Sequence, residues 1–129
     1  MAINMRSRGL VDNLNDYNYH ILGCGAIGSA AALQLVRMGA KNFCLYDNDE
    51  VDTGNVGVSQ YTIYDVGHAK VDMLHSKLKD VNDSVEVMCE DRLFDNYVYL
   101  NDNDIIILGF DSMKSRMDAV KAISKWKHS

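Results

Sequence analysis

Short apolar runs alternate with polar and glycine-rich stretches along most of the chain. The first apolar run, Tyr19–Leu22, ends abruptly in a glycine-rich turn, which is followed by an Ala- and Leu-rich stretch over residues 29–38. Gly39 stands where a glycine commonly terminates a helix. A second run, Asn42–Tyr46, carries β-favouring aromatic residues and stops at a polar cluster. The pattern therefore predicts a strand, a glycine turn, a helix and a second strand, which together form a βαβ unit.

The same alternation continues through the rest of the chain. Residues 51–67 have no regular period, which predicts a long loop or short helical turns. Apolar residues recur at helical spacing over 70–78, and residues 84–88 alternate as a third strand would. The uniformly apolar segment 105–108 predicts a strand buried on both faces. A closing helix is predicted from an apolar stripe made of Met113, Met117, Val120 and Trp126.

These elements predict an α/β fold of the Rossmann type, with a mainly parallel sheet of about four strands flanked by helices. Residues 1–16 are polar and without a period, so they predict a lead-in arm. The 129 residues and 47% hydrophobic content are typical of one domain, and residues 1–129 are expected to form it.

Charge and composition narrow the classes of partner. The net charge of −5 and the absence of a basic block do not favour nucleic acid as a partner. No apolar run reaches the roughly 18 residues that a membrane-spanning helix needs, and the chain is expected to be cytoplasmic. The three cysteines form no CxxC pair and the four histidines have no metal-type spacing, so these residues are expected to be packed or solvated.

The glycine-rich turn after the first predicted strand has the spacing Gly-x-Gly-x-x-Gly. Its residues are Gly23, Cys24, Gly25, Ala26, Ile27 and Gly28. The first glycine allows a tight turn, the second lets the backbone approach a phosphate, and the third lets the helix pack on the strand. Because free N–H groups at a helix start carry partial positive charge, the turn predicts an anionic nucleotide.

A carboxylate follows the second predicted strand. Asp47 stands about 20 residues after the turn, where an acidic residue commonly accepts hydrogen bonds from ribose hydroxyls. An NAD-binding domain has an acidic residue at the same place, and a tight turn that binds no nucleotide is a further interpretation. The residues after the fourth predicted strand show no constellation for hydride transfer.

Several separated motifs resemble the ThiF/MoeB/ubiquitin-activating superfamily, with the small phage and bacterial ThiF-type proteins as the most similar group. They are the glycine turn with Ser29, the helix ending Leu35–Ala40, the acidic segment Asp47–Val51, Asn55, the motif Gly67–Lys70, and Asp111 with Arg116. Several linked motifs at family spacing are more specific than the glycine turn alone.

The resemblance implies adenylation of a carboxylate by ATP, typically at the C-terminus of a ubiquitin-like or sulfur-carrier protein or peptide. It implies that Asp47, with Asp49 as a weaker candidate, holds the ribose and that Asn55 and Lys70 contact phosphates. It also implies that Asp111 binds Mg²⁺ and that the protein is a homodimer, in which an N-terminal arginine such as Arg6 or Arg8 reaches the partner's nucleotide. Outside this resemblance, Lys70 would be a solvated surface lysine and Asp111 a helix N-cap.

The chain departs from the family in its phosphate loop. The family commonly has Asn-x-x-Arg-Gln, whereas residues 55–60 read Asn-Val-Gly-Val-Ser-Gln, with no arginine and one extra residue. The family's catalytic cysteine, crossover loop and CxxC zinc pairs have no counterpart, which is expected of a truncated chain, of an enzyme that stops at the adenylate, or of a non-catalytic nucleotide- and partner-binding subunit.

Overall fold

The computed structural model describes residues 14–92 and 102–109, and within them the predicted alternation of strands and helices is present. The main elements are β1 (Asn18–Leu22), α1 (Ala26–Arg37), β2 (Asn42–Tyr46), α2 (Lys70–Val81), β3 (Glu86–Glu90) and β4 (Asp104–Leu108). Short 3-10 helices lie at Leu14–Asp16, Thr53–Asn55 and Ile63–Asp65. The predicted closing helix and most of the lead-in arm lie outside the described residues.

The four strands form one parallel sheet in the order β3-β2-β1-β4. Its register places Tyr19 of β1 opposite Phe43 of β2 and Ile105 of β4. The chain moves outward from β1 through β2 to β3 and then continues on the other side of β1. A sheet of this kind has a switch point between β1 and β4, where ligands bind at the carboxyl ends of the strands. The predicted α/β Rossmann-like class is confirmed.

One face of the sheet packs against both helices and forms the core. The strands contribute Tyr19, Ile21, Phe43, Leu45 and Val87, and the helices contribute Ala32, Leu33, Val36, Val71, Leu74 and Leu78. Burying an aliphatic or aromatic side chain of this size stabilises a fold by about 1.5–3 kcal/mol. The core therefore holds β1 and both helix starts in a fixed relation, and the candidate site lies at these ends.

Local backbone chemistry accounts for where the elements end. Gly39 has φ +109°, and its N–H donates to the Val36 carbonyl at 3.2 Å, so the predicted glycine terminus of α1 is confirmed. The third strand begins at Glu86, two residues later than predicted. The reason is a turn at Asn82, whose side-chain oxygen accepts from the Ser84 N–H at 3.0 Å and whose carbonyl accepts from Val85 at 3.1 Å.

The opposite face of the sheet carries a buried polar group centred on His20. Its ring stacks on Tyr46, and Nδ1 lies 3.2 Å from the Tyr46 hydroxyl. Nε2 lies 3.1 Å from an Asp104 carboxylate oxygen but outside hydrogen-bonding geometry, so the pair is an ion pair only when the ring is protonated. His20 is therefore a packed histidine. Among the described helices, none is long and apolar enough to cross a membrane.

Candidate nucleotide-binding site

The glycine turn connects β1 to α1 and leaves the start of the helix open. Gly23 has φ +94°, a conformation that residues with a Cβ rarely adopt. Gly25 occupies the N-cap position, where no side chain caps the helix. The first helical hydrogen bond at this end runs from the Ser29 N–H to the Gly25 carbonyl at 2.9 Å. The N–H groups from Gly25 to Gly28 precede that bond, so they have no intrahelical partner, and N–H groups at such a helix start can bind an anionic group.

Two glycines without room for a side chain hold the turn in this shape. An ideal Cβ on Gly28 would lie 1.8 Å from the Gly23 carbonyl oxygen. A Cβ on Gly109, which directly follows β4, would lie 2.3 Å from the same oxygen and 2.5 Å from the Gly28 Cα. The Gly109 N–H also donates to the Leu22 carbonyl at 2.8 Å. The turn is thus clamped between α1 and the end of β4, at the switch point of the sheet. The sequence pattern indicates the role of Gly28, whereas Gly109 has no sequence signal of this kind.

Asp47 ties the end of β2 to the glycine turn. Its side chain is buried, with one oxygen accepting from the Cys24 N–H at 2.8 Å and the other from the Asp49 N–H at 2.8 Å. The placement beside the turn agrees with the sequence prediction. Each carboxylate oxygen has a second lone pair and can accept a further hydrogen bond, for example from a ribose hydroxyl. The ribose-binding role of Asp47 stays a prediction.

Lys70 begins α2 and is buried, which corrects the interpretation of a solvated surface lysine. The residue is 7% exposed, and its Nζ lies 4.0 Å from a carboxylate oxygen of Asp49, whose own side chain is 67% exposed. The Lys70 N–H donates to the Asp49 carbonyl at 3.0 Å, next to an antiparallel bridge between Glu50 and Ala69. These backbone contacts seat α2 against the segment after β2 and bring a cation to the carboxyl edge of the sheet.

Asn55 lies on a 3-10 helix that it helps to cap. Its side-chain oxygen accepts from the Asp52 N–H at 2.8 Å, and its own N–H donates to the Asp52 carboxylate at 3.2 Å. This reciprocal pair is a capping box, which fixes the Asn55 side chain. The amide nitrogen is the donor suited to a phosphate oxygen, and the phosphate role predicted for Asn55 stays a prediction.

Tyr61 links the glycine turn to the lysine-bearing helix, a role that no sequence motif predicted. The side chain is 3% exposed, its hydroxyl donates to the Cys24 carbonyl, and the same oxygen lies 3.4 Å from the Lys70 carbonyl. Burial, followed by the nearby Cys24 and acidic groups, raises the pKa of the phenol well above its usual value, so the hydroxyl keeps its proton. The sequence gives little signal for it, because the same loop contains a second tyrosine, Tyr64, and several aliphatic residues.

The Cys24 thiol lies in the turn but is not suited to nucleophilic attack. It is fully buried, and burial first, then the Asp47 charge, raises the pKa of the thiol well above its usual value. A buried neutral thiol is a poor nucleophile. The structure therefore makes Cys24 a packing residue of the glycine turn, in agreement with the sequence prediction for the cysteines.

The described residues bring together most of the predicted set. The turn from Gly23 to Gly28, Asp47, Asp49 and Lys70 meet at the carboxyl edge of β1 and β2. Asn55 belongs to the segment that connects Asp47 to Lys70. The residues predicted to bind metal or to supply an arginine lie outside the described residues, so these roles stay predictions. They are Asp111, Arg116, Arg6 and Arg8. An open helix start and a buried cation at one edge can bind an anion, and Asp47 adds a hydrogen-bond acceptor beside them.

These features define an α/β domain of the Rossmann type with a glycine turn at its switch point. The chain belongs to the ThiF family, whose sequence profile matches residues 2–127. The family predicted from the linked motifs is therefore confirmed.

Curated relatives and solved structures agree with this membership. The chain is 31% identical over 90 residues to the tRNA threonylcarbamoyladenosine dehydratase of Bacillus subtilis, covering 69% of this chain and 35% of the relative. It is 32% identical over 85 residues to ubiquitin-like modifier-activating enzyme 5 of Branchiostoma floridae, covering 64% and 21%. A crystal structure of E. coli MccB with ATP is similar with a TM-score of 0.61 and 26% identity, covering 72% and 26%. The chain thus spans about a third or less of the length of these proteins.

Proposed function

We propose that this chain binds ATP with Mg²⁺ at the glycine turn and takes part in the adenylation of a carboxylate. One observation supports this most strongly: the Tyr61 hydroxyl contacts the Cys24 carbonyl and lies 3.4 Å from the Lys70 carbonyl. One hydroxyl group therefore contacts both the glycine turn that precedes α1 and the first residue of α2, the buried lysine. That a related protein, MccB, was solved with ATP supports the choice of nucleotide.

The acceptor we propose is the C-terminal carboxylate of a ubiquitin-like or sulfur-carrier protein or a peptide. The relative named ubiquitin-like modifier-activating enzyme 5 supports a protein acceptor. The relative from B. subtilis is named for a modified tRNA nucleoside. A net charge of −5 is unfavourable for a polyanionic partner, because binding nucleic acid depends on neutralising phosphates with lysine and arginine.

The proposed reaction needs positioning and charge neutralisation more than proton transfer. A carboxylate oxygen forms a bond to the α-phosphorus while the bond from that phosphorus to the bridging oxygen breaks, and its electron pair leaves with pyrophosphate. The attacking carboxylate is already ionised at neutral pH, so no general base is required. The rate enhancement would therefore come from alignment of the two reactants and from stabilisation of charge on the phosphates.

Each described residue has a role that its position supports. The N–H groups at the start of α1 would bind phosphate oxygens, and Lys70 would exchange its weak contact with Asp49 for a phosphate. Asp47 would accept from the ribose while it holds the turn, and the Asn55 amide nitrogen would donate to a phosphate. Mg²⁺ would enter as part of the substrate, and Asp111 is the carboxylate we propose as its ligand, because Mg²⁺ takes one or two carboxylates with nucleotide oxygens.

A second candidate function is a nucleotide- and partner-binding subunit without catalysis. It is favoured by Val58, which lies three residues after Asn55, where the family has an arginine, and which is 70% exposed. The loss of a positioned charge of this kind costs about a hundredfold or more in rate. We therefore expect the chain to bind ATP measurably and to catalyse slowly, unless a partner chain in a homodimer supplies an arginine.

Exchange of labelled pyrophosphate into ATP separates the two candidates. The assay would use the intact chain with candidate acceptor proteins and the variants Val58→Arg and, as an uncharged control, Val58→Gln. The adenylating enzyme predicts exchange that requires an acceptor and that rises in Val58→Arg but not in Val58→Gln. The non-catalytic subunit predicts ATP binding without exchange in all three proteins. Rapid exchange by the unsubstituted chain, shown to be monomeric by sedimentation, would contradict the expected dependence on a further arginine.

A further inference from the structure

Tyr61 carries a buried hydroxyl at the centre of the proposed site, where phenylalanine would fill the same space. Its ring belongs to the hydrophobic core, so packing accounts for an aromatic residue at this position but not for the hydroxyl. Burying a hydroxyl group lowers the stability of the fold unless the hydroxyl has a hydrogen-bond partner. Here the partners are the carbonyl groups of Cys24 and Lys70.

The contact with Cys24 determines the direction of a neighbouring N–H group. The carbonyl of Cys24 and the N–H of Gly25 belong to the same planar trans peptide, so they point in opposite directions. When the Tyr61 hydroxyl holds that carbonyl, the Gly25 N–H is directed away from Tyr61. The preceding peptide is held as well, because the Cys24 N–H donates to Asp47 at 2.8 Å. Two successive peptide planes of the turn are thus fixed by side chains from elsewhere in the chain.

The second contact of the hydroxyl is with the backbone carbonyl of Lys70, the proposed phosphate-binding lysine. The hydroxyl has one proton, so its bond to Cys24 dominates, and Lys70, at 3.4 Å, shares it weakly. The Lys70 N–H is meanwhile held by the Asp49 carbonyl at 3.0 Å. Any movement of the glycine turn relative to the start of α2 therefore breaks or stretches a contact of the Tyr61 hydroxyl.

We propose that Tyr61 is a positioning residue, whose hydroxyl orients the Gly25 N–H and keeps the glycine turn in register with Lys70 for binding a triphosphate. The inference rests on the proposed function, because it assigns the phosphates of ATP to this turn. Its consequence is selective. Binding of the phosphates depends on the hydroxyl, whereas binding of the nucleoside, which the proposed function assigns to Asp47, does not.

The test compares Tyr61→Phe with Tyr64→Phe, a matched control in the same loop whose side chain is 88% exposed. Dissociation constants for ATP with Mg²⁺ and for adenosine would be measured by NMR titration, which reaches millimolar affinities. We expect Tyr61→Phe to weaken ATP binding about tenfold, the effect of one hydrogen bond, and to leave adenosine binding unchanged. Tyr64→Phe is expected to change neither constant.

The outcomes separate this inference from the proposed function. If the unsubstituted chain does not bind ATP, the proposed function is wrong and this inference falls with it. If it binds ATP and Tyr61→Phe binds ATP equally well, only the positioning role is overturned. Equal weakening of ATP and adenosine would assign the hydroxyl to general stability and would also overturn the positioning role.

A second measurement covers the case in which Tyr61→Phe does not fold. In the unsubstituted chain, a buried and hydrogen-bonded phenol proton exchanges slowly with water and gives its own NMR resonance. We expect ATP to shift this resonance more than adenosine does. A resonance that is absent, or that responds equally to both ligands, would overturn the inference.

Discussion

Replacing Gly109 with alanine tests whether the end of β4 holds the glycine turn in shape. The new Cβ would lie 2.3 Å from the Gly23 carbonyl oxygen, about 0.7 Å short of the 3.0 Å below which real Cβ contacts are essentially never found. It would also lie 2.5 Å from the Gly28 Cα, so both neighbours are backbone atoms that cannot rotate away. The turn or β4 must move by at least that distance.

Overpacking of this kind costs about 1–3 kcal/mol of folding free energy. A shift of the same size also displaces the N–H groups at the start of α1, and small displacements of a preorganised site weaken binding strongly. We therefore expect Gly109→Ala to lower the thermal midpoint and to weaken ATP binding about tenfold or more, as judged from a loss of about 1.4 kcal/mol of binding free energy.

Gly39→Ala is the matched control for this experiment. Gly39 has φ +109° at the opposite end of α1, so a side chain there strains the backbone by about 1–2 kcal/mol without touching the turn. It should lower the thermal midpoint by a similar amount and leave ATP affinity unchanged. ATP binding by Gly109→Ala with unchanged affinity would refute the claim that β4 shapes the site.

Three further predictions address single side chains. Lys70→Met keeps the buried aliphatic stem but removes the charge, so we expect weaker ATP binding by titration and a change in thermal midpoint smaller than that of Lys70→Ala. For Asp65, burial raises the pKa, but hydrogen bonds from Lys77 and Thr62 outweigh it and leave the pKa below its usual value. The stability that Asp65 contributes is therefore present above about pH 4 and is lost as the pH falls further. We expect the Asp65→Asn variant to be less stable than the unsubstituted chain at neutral pH, and this difference in unfolding free energy, measured by chemical denaturation, to become smaller in acid. Asp111→Asn should raise the Mg²⁺ concentration needed for ATP binding, and an unchanged Mg²⁺ requirement would contradict its proposed role.

The local parts of the fold could be predicted from the sequence because they depend on neighbouring residues. The strands over Asn42–Tyr46 and 105–108, the glycine turn and the glycine end of α1 follow from apolar runs and backbone conformations that the residues themselves favour. The prediction that 105–108 is buried on both faces was wrong, because Ile105 is exposed and the other residues of β4 are only partly buried. The third strand was displaced by two residues because the turn at Asn82 uses hydrogen bonds that hydrophobic alternation does not reveal.

The parts that could not be predicted depend on contacts between distant residues. Tyr61 is 37 residues from Cys24 along the chain, and nothing in the loop sequence indicates that its hydroxyl reaches the glycine turn. Gly109 belongs to no motif in the sequence. A glycine is required there only because the pairing of β4 with β1 brings this position against the backbone of the glycine turn. Lys70 was predicted to contact phosphates, with a solvated surface lysine as the alternative, and neither interpretation included its burial, which follows from the packing of α2 against the segment after β2.

The proposed function depends most directly on whether ATP occupies the glycine turn. The decisive measurement is an NMR titration of the intact chain with ATP and Mg²⁺, following the backbone N–H resonances of residues 23–28 and the Lys70 side chain, with NADH as competitor. The account predicts saturable shifts at the turn and at Lys70 that NADH does not reverse. ATP shifts confined to other residues, or NADH binding that displaces ATP from the turn, would contradict it.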